Sequence, residues 1–282
     1  MSQTFLLNNL AELLLDDSPA VKEQVQKTCL STHDKERDLL FDQMIITFKN
    51  NFETKPKQCS YIIETLKKMD IQIPLSPNSS EKFLKLLLLD VFPRLSSVKV
   101  DSESEEPSKN QDFQSLIQAC YQIGQICVYS IDGLNLLLKI LFADLSQNLL
   151  NNLYALKFLH FCISIPSLQG SQLKSLLKTY YSQFIELSKS VLTNQNDHQI
   201  NEGIILTLNQ LLLILSTTFQ EEFETPLNQL LELIYGQMTE NDTSSLKANV
   251  FDLSITSFKF ISNELFISNV NSISQILINS KL

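Results

Sequence analysis

Glycine is the first shortage. The chain has 5 in 282 residues, against a usual share of roughly 7%, so tight hairpins and glycine-built phosphate loops have little to be made from. Accordingly no GxGxxG, Walker loop, HExxH, GxSxG or EF-hand loop occurs, each of which needs a backbone shape that glycine or a fixed ligand spacing supplies. Tryptophan is absent and arginine is reduced to Arg37 and Arg94. Recognition of phosphate draws on arginine forks or a basic stripe, and their lack argues against sequence-reading of DNA or RNA. The five cysteines, Cys29, Cys59, Cys120, Cys127 and Cys162, are odd in number, scattered and without a CxxC pair. That pattern fits reduced thiols in a cytoplasmic or nuclear protein. The opening MSQTFLLNNLAELLLDD has no charged n-region and turns acidic after its leucines, so it reads as an amphipathic helix rather than a leader. No cofactor or metal is expected.

What the chain does have is leucine at helical spacing. The stretch 198–219 places Ile200, Ile204, Leu208, Leu211, Leu215 and Phe219 at steps of three and four, one face of an α-helix. Ile205, Leu212, Leu213 and Ile214 widen the apolar surface beyond one stripe, which predicts neighbours on more than one side. Asn209 and Gln210 at its middle make it too polar for a membrane span. The fold class expected is all-α, with antiparallel helix pairs and no sheet.

In order, an opening helix ended by Asp16, Asp17 and Ser18 is predicted, then helices over about 19–28, 34–50, 57–69 and 81–92. Phe5, Leu6, Leu10, Leu13 and Leu14 form the apolar face of the first, and Leu39, Leu40, Met44, Ile45 and Phe48 that of the third. Ser79 or Ser80 is the expected cap of the fifth. Apolar periodicity then fails over 93–112, PRLSSVKVDSESEEPSKNQD, which cannot bury enough surface to offset its ordering entropy. It reads as an acidic mobile linker or long loop. Ser102 and Ser104, each followed by acids, are candidate phosphorylation sites. The expected organisation is an N-terminal helical cluster (1–92), this linker (93–112) and a C-terminal helical-repeat stack (113–282), with helices over about 113–130, 134–145, 147–164, 171–192, 200–219, 226–238, 244–261 and 266–278.

A leucine triplet recurs in the second half. Leu134-x-x-Leu137-Leu138, Leu173-x-x-Leu176-Leu177 and Leu208-x-x-Leu211-Leu212 lie 39 and 35 residues apart, the period of a helical solenoid. The pattern resembles HEAT or armadillo repeats across most of the chain. The tetratricopeptide signature, which needs tryptophan, is missing. The resemblance implies an α-solenoid without catalytic motif. Armadillo arrays place asparagines on an inner helix to bond the backbone of an extended peptide, which marks Asn135 and Asn209, in the same slot of two triplets, as candidate partner-binding residues. The middle copy departs from this with Lys174.

Dyads that imitate chemistry are present but plain. Cys29 and His33 are four apart across a Ser-Thr helix break. Cys120 and Cys127 share a helix face as small hydrophobes, and His160 has no second ligand cluster nearby. Charge is more informative, because residues 1–100 are balanced at 13 basic and 13 acidic side chains. The whole formal charge of −9 therefore falls in the remainder. Glu221, Glu222 and Glu224, with Glu232, Glu240 and Asp242, are its densest acidic run outside the linker. They suit a partner with a basic segment, and equally a solvated helix start. The function expected is a non-catalytic protein–protein interaction scaffold, an adaptor or subunit of a larger intracellular complex. Two alternatives stand beside it. One is a HEAT-type RNA-binding or translation-factor domain, using Lys49, Lys55, Lys57, Lys67 and Lys68. The other is an all-α enzyme or regulatory domain whose site is assembled from distant residues.

Overall fold

The computed structural model describes residues 3–32, 34–72, 76–97, 107–143, 149–164, 170–194, 197–215, 223–238, 242–261, 267, 269–271 and 274. Among them there is no strand, and thirteen α-helices account for nearly all of the described chain. They run α1 (Gln3–Leu13), α2 (Pro19–Leu30), α3 (Asp34–Asn51), α4 (Pro56–Gln72), α5 (Pro77–Leu86), α6 (Phe92–Ser97), α7 (Pro107–Cys127), α8 (Ile131–Phe142), α9 (Leu153–Ile163), α10 (Ser171–Asn194), α11 (His198–Leu215), α12 (Glu224–Gln237) and α13 (Ser244–Ser257). A π-helical turn, Leu87–Val91, joins α5 to α6.

Local chemistry sets the boundaries. The cap of α5 is Ser76 rather than Ser79 or Ser80, because Pro77 occupies the first helical position and Ser76 Oγ accepts from the Ser79 amide at 3.2 Å;. Ser79 instead donates to Asp38 Oδ1 on α3 at 3.1 Å. Asn152 caps α9 by accepting from the amides of Tyr154 and Ala155 at 2.9 and 3.1 Å, and Thr243 caps α13 through the Leu246 amide.

The chain divides into two compact units, Met1–Leu137 and Leu138–Leu282. In the first, α1 packs on α3 and α3 on α5, while α2 packs on α4 and α4 on α7. In the second, α9 packs on α11 and α11 on α13, with α10 on α12 and α10 against α11. Each unit thus has two layers, with helices two apart in sequence lying side by side, except that α4 meets α7, three on, and consecutive helices crossing between layers. Within the first unit, the expected linker 93–112 is helical at both ends, in α6 and from Pro107 of α7, and residues 98–106 lie outside the described residues. The unit boundary falls inside α8, after Leu137, and α7 belongs to the first unit, since it packs on α4 with Leu116, Cys120 and Ile123 fully buried.

Side-chain hydrogen bonds record the layering as a sequence separation. Gln26 on α2 reaches Thr65 on α4, 39 residues away. Asp38 and Asp42 on α3 meet Ser79 and Lys82 on α5, 41 and 40 away. Lys189 on α10 bonds Gln229 on α12 at 40, and Ser245 on α13 bonds Glu202 on α11 at 43. These bonds span about 40 residues in both units, whereas Lys67 on α4 reaches Gln122 on α7 across 55. The leucine triplets follow this step only once. Leu134 and Leu173 lie on α8 and α10, but Leu208 lies on α11, the next helix after α10. The 24-residue length of α10 makes a single helix and its connection span the 35 residues that the sequence pattern reads as a pair.

Helix α11 has the surroundings its pattern predicts. It touches α9, α10 and α13 and buries Ile200, Ile204, Ile205, Leu208, Leu211, Leu212 and Leu215. Gly203 admits α9, since a Cβ there would stand 3.3 Å from Leu156 Cδ1. Phe219 lies outside the described residues.

Candidate partner-binding sites

Asn135 is half-buried on α8 and Asn209 half-buried on α11, in different units. Asn209 sits on the outer stripe of α11 with Leu206, Gln210 and Leu213, and its Oδ1 is shielded from water with no hydrogen-bond partner. Glu224 is half-buried in the first turn of α12, where a carboxylate suits the helix dipole. Glu221, Glu222, Ser102, Ser104 and His33 lie outside the described residues.

The groups that imitate catalytic chemistry are core. All five cysteines are free and buried. Desolvation pushes the Cys29 thiol up to about 11 and Cys59 up to about 12, and also raises Cys120. A thiol held protonated is a poor nucleophile. Burial raises Tyr181, and Tyr235 is pushed up to about 12 by burial while its Oη lies 2.9 Å from Ser254 Oγ. Among the described residues no cluster of three or more His, Cys, Asp or Glu side chains is placed to hold a metal, and no helix is long and apolar enough to cross a membrane.

The arginines and most of the N-terminal lysines make contacts inside their own unit. Arg37 is buried and donates to the Met69 carbonyl at 2.5 Å. Arg94 pairs with Asp90 at 2.9 Å and Glu53 at 3.2 Å, and lies 4.6 Å over the Phe52 ring. Lys49 pairs with Asp90 at 2.6 Å, Lys68 with Glu64 at 2.8 Å, and Lys67 donates to Gln122 at 3.0 Å. Lys55 and Lys57 are exposed.

Two arrangements escape the sequence pattern. The first is the distribution of exposed large apolar side chains. Leu6 and Leu13 on α1, Leu39 and Ile46 on α3, and Leu89 in the π turn after α5 belong to one layer of the first unit. Phe161 on α9, Leu213 on α11, and Phe251 and Ile255 on α13 belong to one layer of the second. On the described residues of α2, α4, α10 and α12 no large apolar side chain is exposed, although Tyr129 after α7 and Ile267, near the Asn269 that bonds Asn228 on α12, are exposed as well. Individual leucines on a surface mean little, but a bias to one layer in both units is informative.

The second is a polar cluster where the ends of α10 and α12 meet the starts of α11 and α13. Gln237 Nε2 donates to the Leu192 carbonyl, Asn201 Nδ2 donates to Gln237 Oε1 at 3.3 Å, and His198 Nδ1 lies 3.1 Å from Asp242 Oδ1. The Asp242 side chain is 1% exposed and that of His198 57%. These residues line one small cleft together with Ile205 and Leu246. In the sequence they are 36 to 45 positions apart where they bond across helices, and there Asn201 reads only as a polar residue near a helix start and Asp242 as the end of the acidic run. No family model matches the chain, and no curated protein is found to match it.

Proposed function

We propose that the chain is a non-catalytic protein–protein interaction scaffold of the α-solenoid type, an adaptor or subunit of an intracellular assembly in the cytoplasm or nucleus, resembling HEAT and armadillo arrays in its helix-pair period. The observation that supports this most is the layer bias of exposed apolar residues. In a stack of helix pairs one layer forms a face; in the second unit one layer carries Phe161, Leu213, Phe251 and Ile255, and in the first unit, taken by itself, one layer carries Leu6, Leu13, Leu39, Ile46 and Leu89. Aromatic and aliphatic anchors on such a face set residence time, and surrounding charge sets encounter rate. The acidic remainder of the chain gives the partner's contacting segment its chemistry: basic, with apolar anchors.

Affinity retrieval from the native source tests the reading. Wild-type protein should retrieve one constant partner, and the combined variant Phe161→Ser, Leu213→Gln and Ile255→Gln should lose it while keeping its helical circular dichroism and melting temperature. Equal retrieval by the two proteins rejects the face.

A further inference from the structure

The cleft at the His198 end of α11 has a defined polarity. A backbone carbonyl only accepts, so the Leu192 carbonyl fixes Gln237 with its amide nitrogen toward it and its Oε1 free to accept;. Oε1 in turn fixes Asn201 with Nδ2 as donor, and Asn201 Oδ1 is left as an acceptor. Asn201 is 6% exposed, and its Oδ1 is shielded from water with no partner. A buried acceptor without a hydrogen bond is costly. Beside it the cleft holds the Asp242 carboxylate, also buried. Asn201 Oδ1 and the Asp242 carboxylate are both acceptors, and together they suit a donor that carries positive charge.

Size narrows the choice. The enclosed room is that of one water-sized group;, which admits an ammonium head and not a planar guanidinium. Ile205 and Leu246 line the same cleft, and since its room takes only the ammonium head, the lysine methylenes lie toward the mouth, where His198 gives way to them. His198 stands at the rim, exposed enough to change rotamer freely.

We propose that this cleft binds a primary ammonium group, presented as the lysine side chain of a basic partner segment, with Asp242 and Asn201 Oδ1 as its acceptors and His198 as the group displaced at the mouth. The inference rests on the scaffold reading for its source of lysine, and on the cleft alone for its ligand chemistry.

Proton NMR of the imidazole signals gives the test, because the chain has three histidines and His198→Gln assigns the one required. N-acetyl-lysine methylamide should shift the His198 signal saturably, the norleucine analogue should not, and the arginine analogue should bind at least ten-fold more weakly. Asp242→Asn should raise the Kd for the lysine amide ten-fold or more. A cleft that holds only a structural water gives no lysine-specific shift. That outcome, or an equal response to norleucine, overturns the proposal on wild-type protein even if the variant fails to fold. A retrieved partner without a lysine response removes the cleft and leaves the scaffold. A lysine response without a constant partner leaves an amine site and removes the scaffold.

Discussion

His160 shows how one residue's surroundings override its position. It sits in the last turn of α9, where a helix C-terminus favours a cation. Burial nevertheless pulls its pKa below the ordinary histidine value, and its Nδ1 is shielded without a hydrogen bond. The folded state therefore prefers the neutral ring. As pH falls below about 6.5, the ordinary histidine value, the unfolded chain takes up the proton first. Stability is then lost until the pH has passed the lower folded value. Urea melts at pH 7.5 and 5 should show His160→Gln losing less stability over that interval than the wild type. An identical loss in both proteins would place the titration elsewhere. The same scale explains which leucines are core. α1, which packs on α3, buries Leu7 and Ala11 and exposes Leu6 and Leu13, with Leu14 buried just after it, and α3 exposes Leu39 while burying Leu40, Phe41, Met44 and Phe48. Both helices are apolar on adjoining stripes, so periodicity names two faces and packing selects one.

At the scale of the element, a close junction lies between α7 and α8. The α7 chain ends at Cys127 and α8 begins at Ile131, and the Gly133 amide donates to Ser130 Oγ at 3.1 Å. A Cβ on Gly133 would stand 2.2 Å from the Cys127 carbonyl oxygen and 2.9 Å from Val128 Cα. These are backbone atoms that move only with the helix end. Gly133→Ala should cost about 1–3 kcal/mol through overpacking. Gly236 is the control, because it is helical in α12 with nothing within 4 Å of its Cβ position. Gly236→Ala should gain up to about 1 kcal/mol from helix propensity. Thermal melts moving in opposite directions confirm the junction, and melts moving together refute it. Element boundaries were close to legible, since prolines, serines and asparagines mark starts by chemistry that acts within four residues. The π turn was not: EKFLKLLLLDVF reads as one helix, and the four leucines give no local sign of the extra residue that Leu87–Val91 accommodates.

At the scale of the whole molecule the charge asymmetry leads to a kinetic expectation. If the partner's segment is basic, replacing Glu221, Glu222 and Glu224 by glutamine should slow association about two- to ten-fold at low salt and flatten its salt dependence, because exposed charges act through a screened field. Dissociation should change little, since the apolar face sets it. Stopped-flow association at two ionic strengths distinguishes this from acids that serve only solubility, for which the on-rate stays the same.

Composition and spacing by themselves determined an all-helical chain, because scarce glycine and leucines at steps of three and four are properties each segment carries alone. They determined that α11 has neighbours on several sides, and that the cysteines suit a core. Tertiary structure alone decided the rest. Which helices lie side by side is set by packing, and the third leucine triplet falls on the next helix, α11, because α10 is 24 residues long. The exposed apolar layer and the His198, Asn201 and Asp242 cleft are products of that stacking. Each joins residues about 40 positions apart, a distance at which no local pattern records which side chains will share a surface.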